Sequence, residues 1–195
     1  MFPIILDVKI LKIVLAGNGK ATLRRLELLD EAGAQHVKVF ADRPIPELAT
    51  QAGARLRNML PKEQDFTGIH LAMLADFDEK QTAELAAFAR NKGVLVNAED
   101  KAPWCDYHVP AIIRRGDLLL TVSTGGGSPR LARRLRIWLS TLFGEEWGDR
   151  LKTISTARKK WKAEGNDFKQ LAEKTDALLA EKGWLDELEQ ERKTS

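Results

Sequence analysis

The feature that most narrows the fold of this chain is one junction near its start. The strand-like run Lys12-Ile13-Val14-Leu15-Ala16 meets Gly17-Asn18-Gly19-Lys20-Ala21-Thr22, and a helical spacing of Leu23, Leu26, Leu28, Leu29 and Ala32 follows. Strand, glycine turn and helix in that order form the opening of a dinucleotide-binding βαβ unit. Gly17 permits the tight turn. Gly19 lets a pyrophosphate lie against the backbone, where the free N–H groups of the helix start favour negative charge. The third position of the fingerprint is normally small so that helix and strand pack closely, and Thr22 departs from that rule. Candidate cofactor contacts are therefore Gly17, Asn18, Gly19, Lys20, Ala21 and Thr22. A second strand over residues 37–41 ends at Asp42-Arg43. Asp42 is placed to reach the ribose hydroxyls of NAD, whereas Arg43 could accept a 2′-phosphate, and a plain polar loop before Pro44 and Pro46 is the alternative.

The alternation continues to about residue 96. Residues 69–75 read as a buried strand, and residues 79–92 as a helix with Ala83, Leu85, Ala86 and Ala89 inward, stopped by Gly93. Val94-Leu95-Val96-Asn97 is the next strand. Such a pattern predicts a doubly wound parallel α/β sheet. The apolar start, Met1 to Asp7, is expected to add an edge strand. From residue 107 the pattern changes. Residues 107–113 and 117–123 read as an antiparallel pair around Arg114-Arg115-Gly116, and their exposed apolar edges predict a partner subunit, hence a homodimer. Beyond Gly144, the spacing of Trp147, Leu151, Ile154, Trp161, Phe168, Leu171, Leu178, Leu179, Trp184 and Leu188 predicts two or three amphipathic helices before a few disorder-like terminal residues. Three regions result: 1–108, a Rossmann domain; 109–144, a dimerisation region; 145–195, a helical tail.

A second anion-binding corner lies at Ser123-Thr124-Gly125-Gly126-Gly127-Ser128-Pro129, which runs into Arg130, Arg133, Arg134 and Arg136. Ser128 can cap the helix and Pro129 suits its first turn. The plain alternative is a solvated basic helix face.

Composition limits the partners. The formal charge is +3 and the sequence pI about 9.0, but the basic residues cluster at 114–136 and 158–160 without interleaved base-stacking aromatics. Nucleic acid is not expected as a partner. A single cysteine, Cys105, excludes an intrachain disulfide and fits a cytoplasmic location. The first residues lack a basic n-region and are interrupted by Asp7 and Lys9, so neither a signal peptide nor a membrane span is expected. His36 and His70 lack ligand-spaced partners, His108 reads as a partly buried strand residue, Cys105 as a packed thiol, and Trp138, Trp147, Trp161 and Trp184 as packing anchors. No metal-ligating set is assigned.

Between the two halves runs Val96-Asn97-Ala98-Glu99-Asp100-Lys101-Ala102-Pro103-Trp104-Cys105-Asp106, after a strand's carboxyl end, where open α/β sheets bind ligands. Together with Pro110-Ala111, Arg115-Gly116-Asp117-Leu118, Thr124-Gly125-Gly126 and Ser128-Pro129 in order, this chain resembles the precorrin-2 dehydrogenase and sirohydrochlorin ferrochelatase family, also found as the front module of siroheme synthases. The resemblance covers nearly the whole chain. It departs at Gly17-Asn18-Gly19, where the family has three consecutive glycines, and at Thr22, where alanine is commoner. It implies NAD as cofactor, a tetrapyrrole substrate held between the Rossmann domain, a dimerisation region and a helical tail, and ferrous iron as co-substrate if the chain is also a chelatase. It carries the catalytic aspartate onto Asp100, with Glu99 as the neighbouring carboxylate that could reach the same place. Substrate carboxylates are expected at Arg115, Thr124, Gly125, Gly126, Ser128, Arg130, Arg133 and Arg134, with Arg136 beside them. No methyltransferase sequence follows, so methylation is expected from another protein. The alternatives are a chelatase or dehydrogenase with one activity alone, or a non-catalytic tetrapyrrole- or nucleotide-binding protein of the same fold.

Overall fold

The computed structural model describes residues 1–186, so Leu188 and the other terminal residues read from the sequence lie outside the described part. The chain divides into two compact units, Met1–Val109 and the part from Pro110 onward.

The first unit is built on β1 (Lys12–Ala16), α1 (Lys20–Glu31), β2 (His36–Phe40), α2 (Pro46–Ala52), β3 (Leu56–Arg57), β4 (Leu71–Leu74), α3 (Glu79–Asn91) and β5 (Leu95–Ala98). The strands form one parallel sheet in the order β3-β2-β1-β4-β5. Ile13 to Ala16 are fully buried because β1 is the central strand and is covered on both faces. Strand alternation then assigns the two cores. Ile13 and Leu15 join Leu26, Leu29, Val37, Val39 and Leu48 under α1 and α2, while Val14 and Ala16 join Phe66, Ala72, Leu74, Leu85 and Ala86 under α3. Burying a leucine such as Leu26 or Leu48 in full contributes about 1.5–3 kcal/mol.

Several local expectations shift. Ala83 is only partly buried and Thr82 takes the inward position on α3, its hydroxyl donating to Asp78 O at 2.6 Å, so the polar atom is satisfied in the core. Neither α2 nor the short edge strand β3 was legible in the proline- and charge-rich stretch after Asp42. The expected N-terminal edge strand does not form. The Asp7 carboxylate accepts from the backbone N–H of Lys9, turning the chain directly into β1, and the sheet edges are occupied by β3 and β5. Met1, Phe2, Ile4 and Ile5 are left exposed. His108 is exposed and precedes the next strand, since that strand begins at Ala111.

The second unit starts with β6 (Ala111–Arg115) and β7 (Leu118–Val122), an antiparallel pair across a tight turn in which Gly116 has φ +56°. The helices α4 (Pro129–Leu142), α5 (Glu146–Ala163) and α6 (Phe168–Lys182) follow among the described residues. Asp167 and Gln170 form a reciprocal cap at the start of α6, and Gly183 ends it in the left-handed conformation. Trp147 is buried against Phe143, with the Arg150 guanidinium over both Trp147 and Trp184, and Lys174 lies over Trp161. Trp138, expected as a packing anchor, is instead 45% exposed on α4.

Candidate active site

In the first unit the register places the carboxyl ends of β1, β4 and β5 side by side, since Ala16 pairs with Leu74 and Leu74 with Ala98. β2 leaves β1 on one side and β4 joins it on the other, so the rim above β1 is the point where the strand order reverses and where such sheets take ligands. The glycine turn, Asp42, Asp76 and the loop carrying Glu99 and Asp100 all lie along this rim.

The turn is closely fitted. Gly17 has φ +148°, and a Cβ there would come within 2.3 Å of the Ala75 carbonyl oxygen and 2.1 Å of Thr22 Oγ1. Only glycine meets both demands. Asn18 braces the neighbouring loop: its Nδ2 donates to Asp42 Oδ1 at 2.8 Å, its Oδ1 accepts from the Arg43 N–H at 3.0 Å, and its carbonyl accepts from the Ile45 N–H at 2.9 Å. Asp42 is thereby held at the end of β2, with Arg43 Nε 3.7 Å away. Lys20 is exposed and Ala21 buried at the start of α1.

Thr22, the residue that departs from the fingerprint, is fully buried, and its partner was invisible in the sequence. Asp76, just past β4, sends Oδ2 into the start of α1. That oxygen accepts from Gly19 N–H at 2.8 Å, Thr22 N–H at 3.0 Å and Thr22 Oγ1 at 2.7 Å. Burial raises the Asp76 carboxyl, but hydrogen bonds from the Thr22 hydroxyl and from the backbone of Thr22, Gly19 and Ala21 outweigh it, holding the group below the usual carboxylate range.

Asp100 stands in the left-handed region at φ +57°, exposed, in the turn after β5. Glu99 beside it is drawn towards Arg24, 3.5 Å away. The loop bearing both is anchored downstream. Lys101 Nζ donates to Phe77 O at 2.8 Å, Trp104 Nε1 to Glu79 at 2.8 Å, and Cys105 Sγ to Ala98 O at 3.1 Å. Asp106 accepts from Arg90 and from the Val96 N–H, which ties the loop's end to α3 and β5. Beneath it the buried Asn97 accepts from Arg25 and donates to the Tyr107 carbonyl. Cys105 thus packs and hydrogen-bonds within the fold.

In the second unit the basic corner forms at the start of α4. Ser128 caps the helix by accepting from the Leu131 N–H at 3.2 Å, and Gly125 and Gly126 take left-handed φ values of +63° and +84°. The Thr124 hydroxyl closes the loop, donating to Ser128 O and accepting from Ser128 N–H. Arg130, Arg133 and Arg134 are exposed on the first two turns, and Arg136 is half-buried. Arg115 is not with them. Its side chain is only 16% exposed, with Nε donating to Phe143 O at 2.9 Å and an ion pair to Glu145 at 3.0 Å, so it serves as a strut between β6 and the α4–α5 turn.

A parallel sheet of order 3-2-1-4-5, with a glycine turn opening the first helix and a carboxylate at the end of the second strand, defines a Rossmann-type nucleotide-binding protein. An NAD(P)-binding family model matches residues 4–111, and the chain belongs to that family. It is 38% identical over 148 residues to a siroheme synthase of Methylococcus capsulatus, covering 75% of this chain and 31% of that protein, and 37% identical over 150 residues to one of Chromobacterium violaceum, covering 75% and 32%. The chain therefore spans about a third of the length of the curated relatives it matches. A solved structure, SirC, precorrin-2 dehydrogenase, has the same fold, with a TM-score of 0.74 and 22% identity over 97% of this chain and 100% of that one.

The residues present fit a dinucleotide at the turn and at Asp42. At the start of α1, where its diphosphate would dock, they offer the right donors, with Asp76 already on them. Among the described residues no cluster could hold a metal ion, and no helix is long and apolar enough to cross a membrane.

Proposed function

We propose that this chain is a cytoplasmic NAD-dependent precorrin-2 dehydrogenase of siroheme synthesis, with sirohydrochlorin ferrochelatase activity as its second step. The observation that carries the reading is the shared rim, which puts an exposed carboxylate, Asp100, alongside the glycine turn and Asp42. The names of the relatives and of the solved structure support the substrate class. Gly17 to Gly19 and Asp42 would hold the cofactor, which when bound supplies a hydride acceptor. Asp100 takes the proton released as the macrocycle loses its hydride, and in chelation receives pyrrole N–H protons as ferrous iron, a substrate, enters. In the second unit, the exposed Arg130, Arg133 and Arg134 give a positive surface of the kind that suits a carboxylate-rich ligand.

A second reading, a chelatase without the redox half, is favoured by one observation: Asp76 occupies the donors that a diphosphate uses. One assay separates the two. Purified protein incubated with precorrin-2 and NAD is expected to form NADH and sirohydrochlorin together, with NADP a poorer substitute because the Asp42 carboxylate at the end of β2 would repel a 2′-phosphate. With sirohydrochlorin and ferrous iron also supplied, iron insertion without NADH formation assigns the single activity, and neither product removes both readings.

The chain is also proposed to act as a homodimer. β6 and β7 form a two-stranded sheet with α4 and α5 packed against it, and α4 carries Leu131, Leu135 and Trp138 at helical spacing on an exposed stripe that nothing in its own unit covers. A second copy covers such a surface symmetrically. Light scattering is expected to give twice the 21.9 kDa chain mass at micromolar concentration. A stable monomer would overturn the assignment.

A further inference from the structure

We propose that Asp76 is an affinity-setting residue of the nucleotide site: an internal anion that sits on the diphosphate-binding donors at the start of α1 and must be displaced, or faced, by any dinucleotide that binds. The inference rests on the NAD reading above for its ligand, but not for its geometry. A Rossmann diphosphate is held by backbone N–H groups at this turn and by the positive end of the first helix. Here one carboxylate oxygen already takes two of those N–H groups and the Thr22 hydroxyl, all at or below 3.0 Å.

The arrangement is built into the local sequence. Asp76 holds a left-handed backbone, φ +60°, which few residues other than glycine, asparagine and aspartate tolerate. Gly19 leaves room for it, since a Cβ at that position would come within 2.8 Å of Asp76 Oδ1. Thr22, oversized for the fingerprint, supplies the third donor, and Gly17 in turn leaves room for the Thr22 hydroxyl. Four residues are thus mutually fitted around one negative charge. An incoming diphosphate meets one of two costs. Either Asp76 gives up three hydrogen bonds and turns away, or the phosphates settle on the remaining donors beside a like charge.

Asp76→Asn retains the shape and one acceptor oxygen while removing the charge, and Thr22→Val removes the hydroxyl donor without altering the charge. Calorimetric titration of the full chain with NAD, inorganic pyrophosphate and adenosine is the test. Asp76→Asn is expected to tighten NAD and pyrophosphate at least tenfold and to leave adenosine unchanged, and Thr22→Val to tighten the two anions several-fold. Pyrophosphate affinity that is unchanged or weaker in both variants overturns the proposal. Should Asp76→Asn fail to fold, Thr22→Val decides alone. If NAD binds none of the proteins while pyrophosphate tightens as expected, the competition stands and the NAD reading falls. Tight NAD binding by the wild type that Asp76→Asn weakens has the opposite meaning: Asp76 supports the cofactor and the competition is refuted. No binding of NAD or pyrophosphate to any of the three proteins sinks both.

Discussion

Gly17→Ala is expected to lower the unfolding temperature by about 10 °C, because no small adjustment makes space for a single methyl group there. The added Cβ meets the Ala75 carbonyl oxygen at 2.3 Å, and that atom belongs to the backbone beyond β4 rather than to a movable side chain. It also meets Thr22 Oγ1 and demands φ +148° of a residue with a side chain. Strain of this kind costs about 1–3 kcal/mol from the backbone alone, and the overlap adds to it, for a total of about 3–5 kcal/mol. In a chain of this size each kcal/mol moves the midpoint by about 2–4 °C. Gly126→Ala is the matched control. It too has a left-handed φ, +84°, but nothing lies within 4 Å of its added Cβ, so only the backbone term remains. Thermal unfolding followed by circular dichroism should show the first variant losing clearly more than the second. Equal losses would show that backbone conformation, and not the fit against Ala75 and Thr22, is what requires glycine at position 17.

On the proposed function, Asp100→Asn should leave folding and nucleotide affinity unchanged while depressing both dehydrogenation and iron insertion by about 10²–10⁴-fold, the range over which a placed proton acceptor acts. The substitution suits this position. Asparagine tolerates the left-handed φ of +57° as aspartate does, and the exposed carboxylate carries no packing. What the variant lacks is only the group proposed to take the proton. Single-turnover measurement of NADH formation and of iron insertion, with unfolding temperature as control, reads the effect. Loss of chelation alone would assign the redox proton to Glu99 or to solvent, and Glu99→Gln then distinguishes those two. Full activity in Asp100→Asn would remove the aspartate from the chemistry.

Much of the architecture was legible because it is written in local periodicity. The apolar run Ile13 to Ala16, the strand around Ala72 and the helix over α3 each carry their own spacing, and parallel pairing follows from the helices between them. Elements without such periodicity were missed. β3 has two residues and no pattern to detect, and α2 begins in a proline-rich stretch that reads as a loop. The N-terminal residues have a strand's composition, but Asp7 turns the chain before they can pair. Arg115 shows the same limit in the second unit. The family resemblance implied a contact with substrate carboxylates there, whereas the turn after α4 brings Phe143 O and Glu145 to its guanidinium.

By itself the sequence determined the alternation from β1 to β5 apart from α2 and β3, the glycine turn and the cap of α4, since each depends on residues a few positions apart, whereas the candidate carboxylate at Asp100 came from the family resemblance. Tertiary structure alone decided what fills the start of α1. Asp76 lies 57 residues from Gly19 and 54 from Thr22, and it reaches them because β4 pairs with β1 and ends level with the glycine turn. Such a contact leaves no periodic signal, because sheet pairing, not chain proximity, brings its partners together. The one local trace it left was a threonine where a smaller residue was expected.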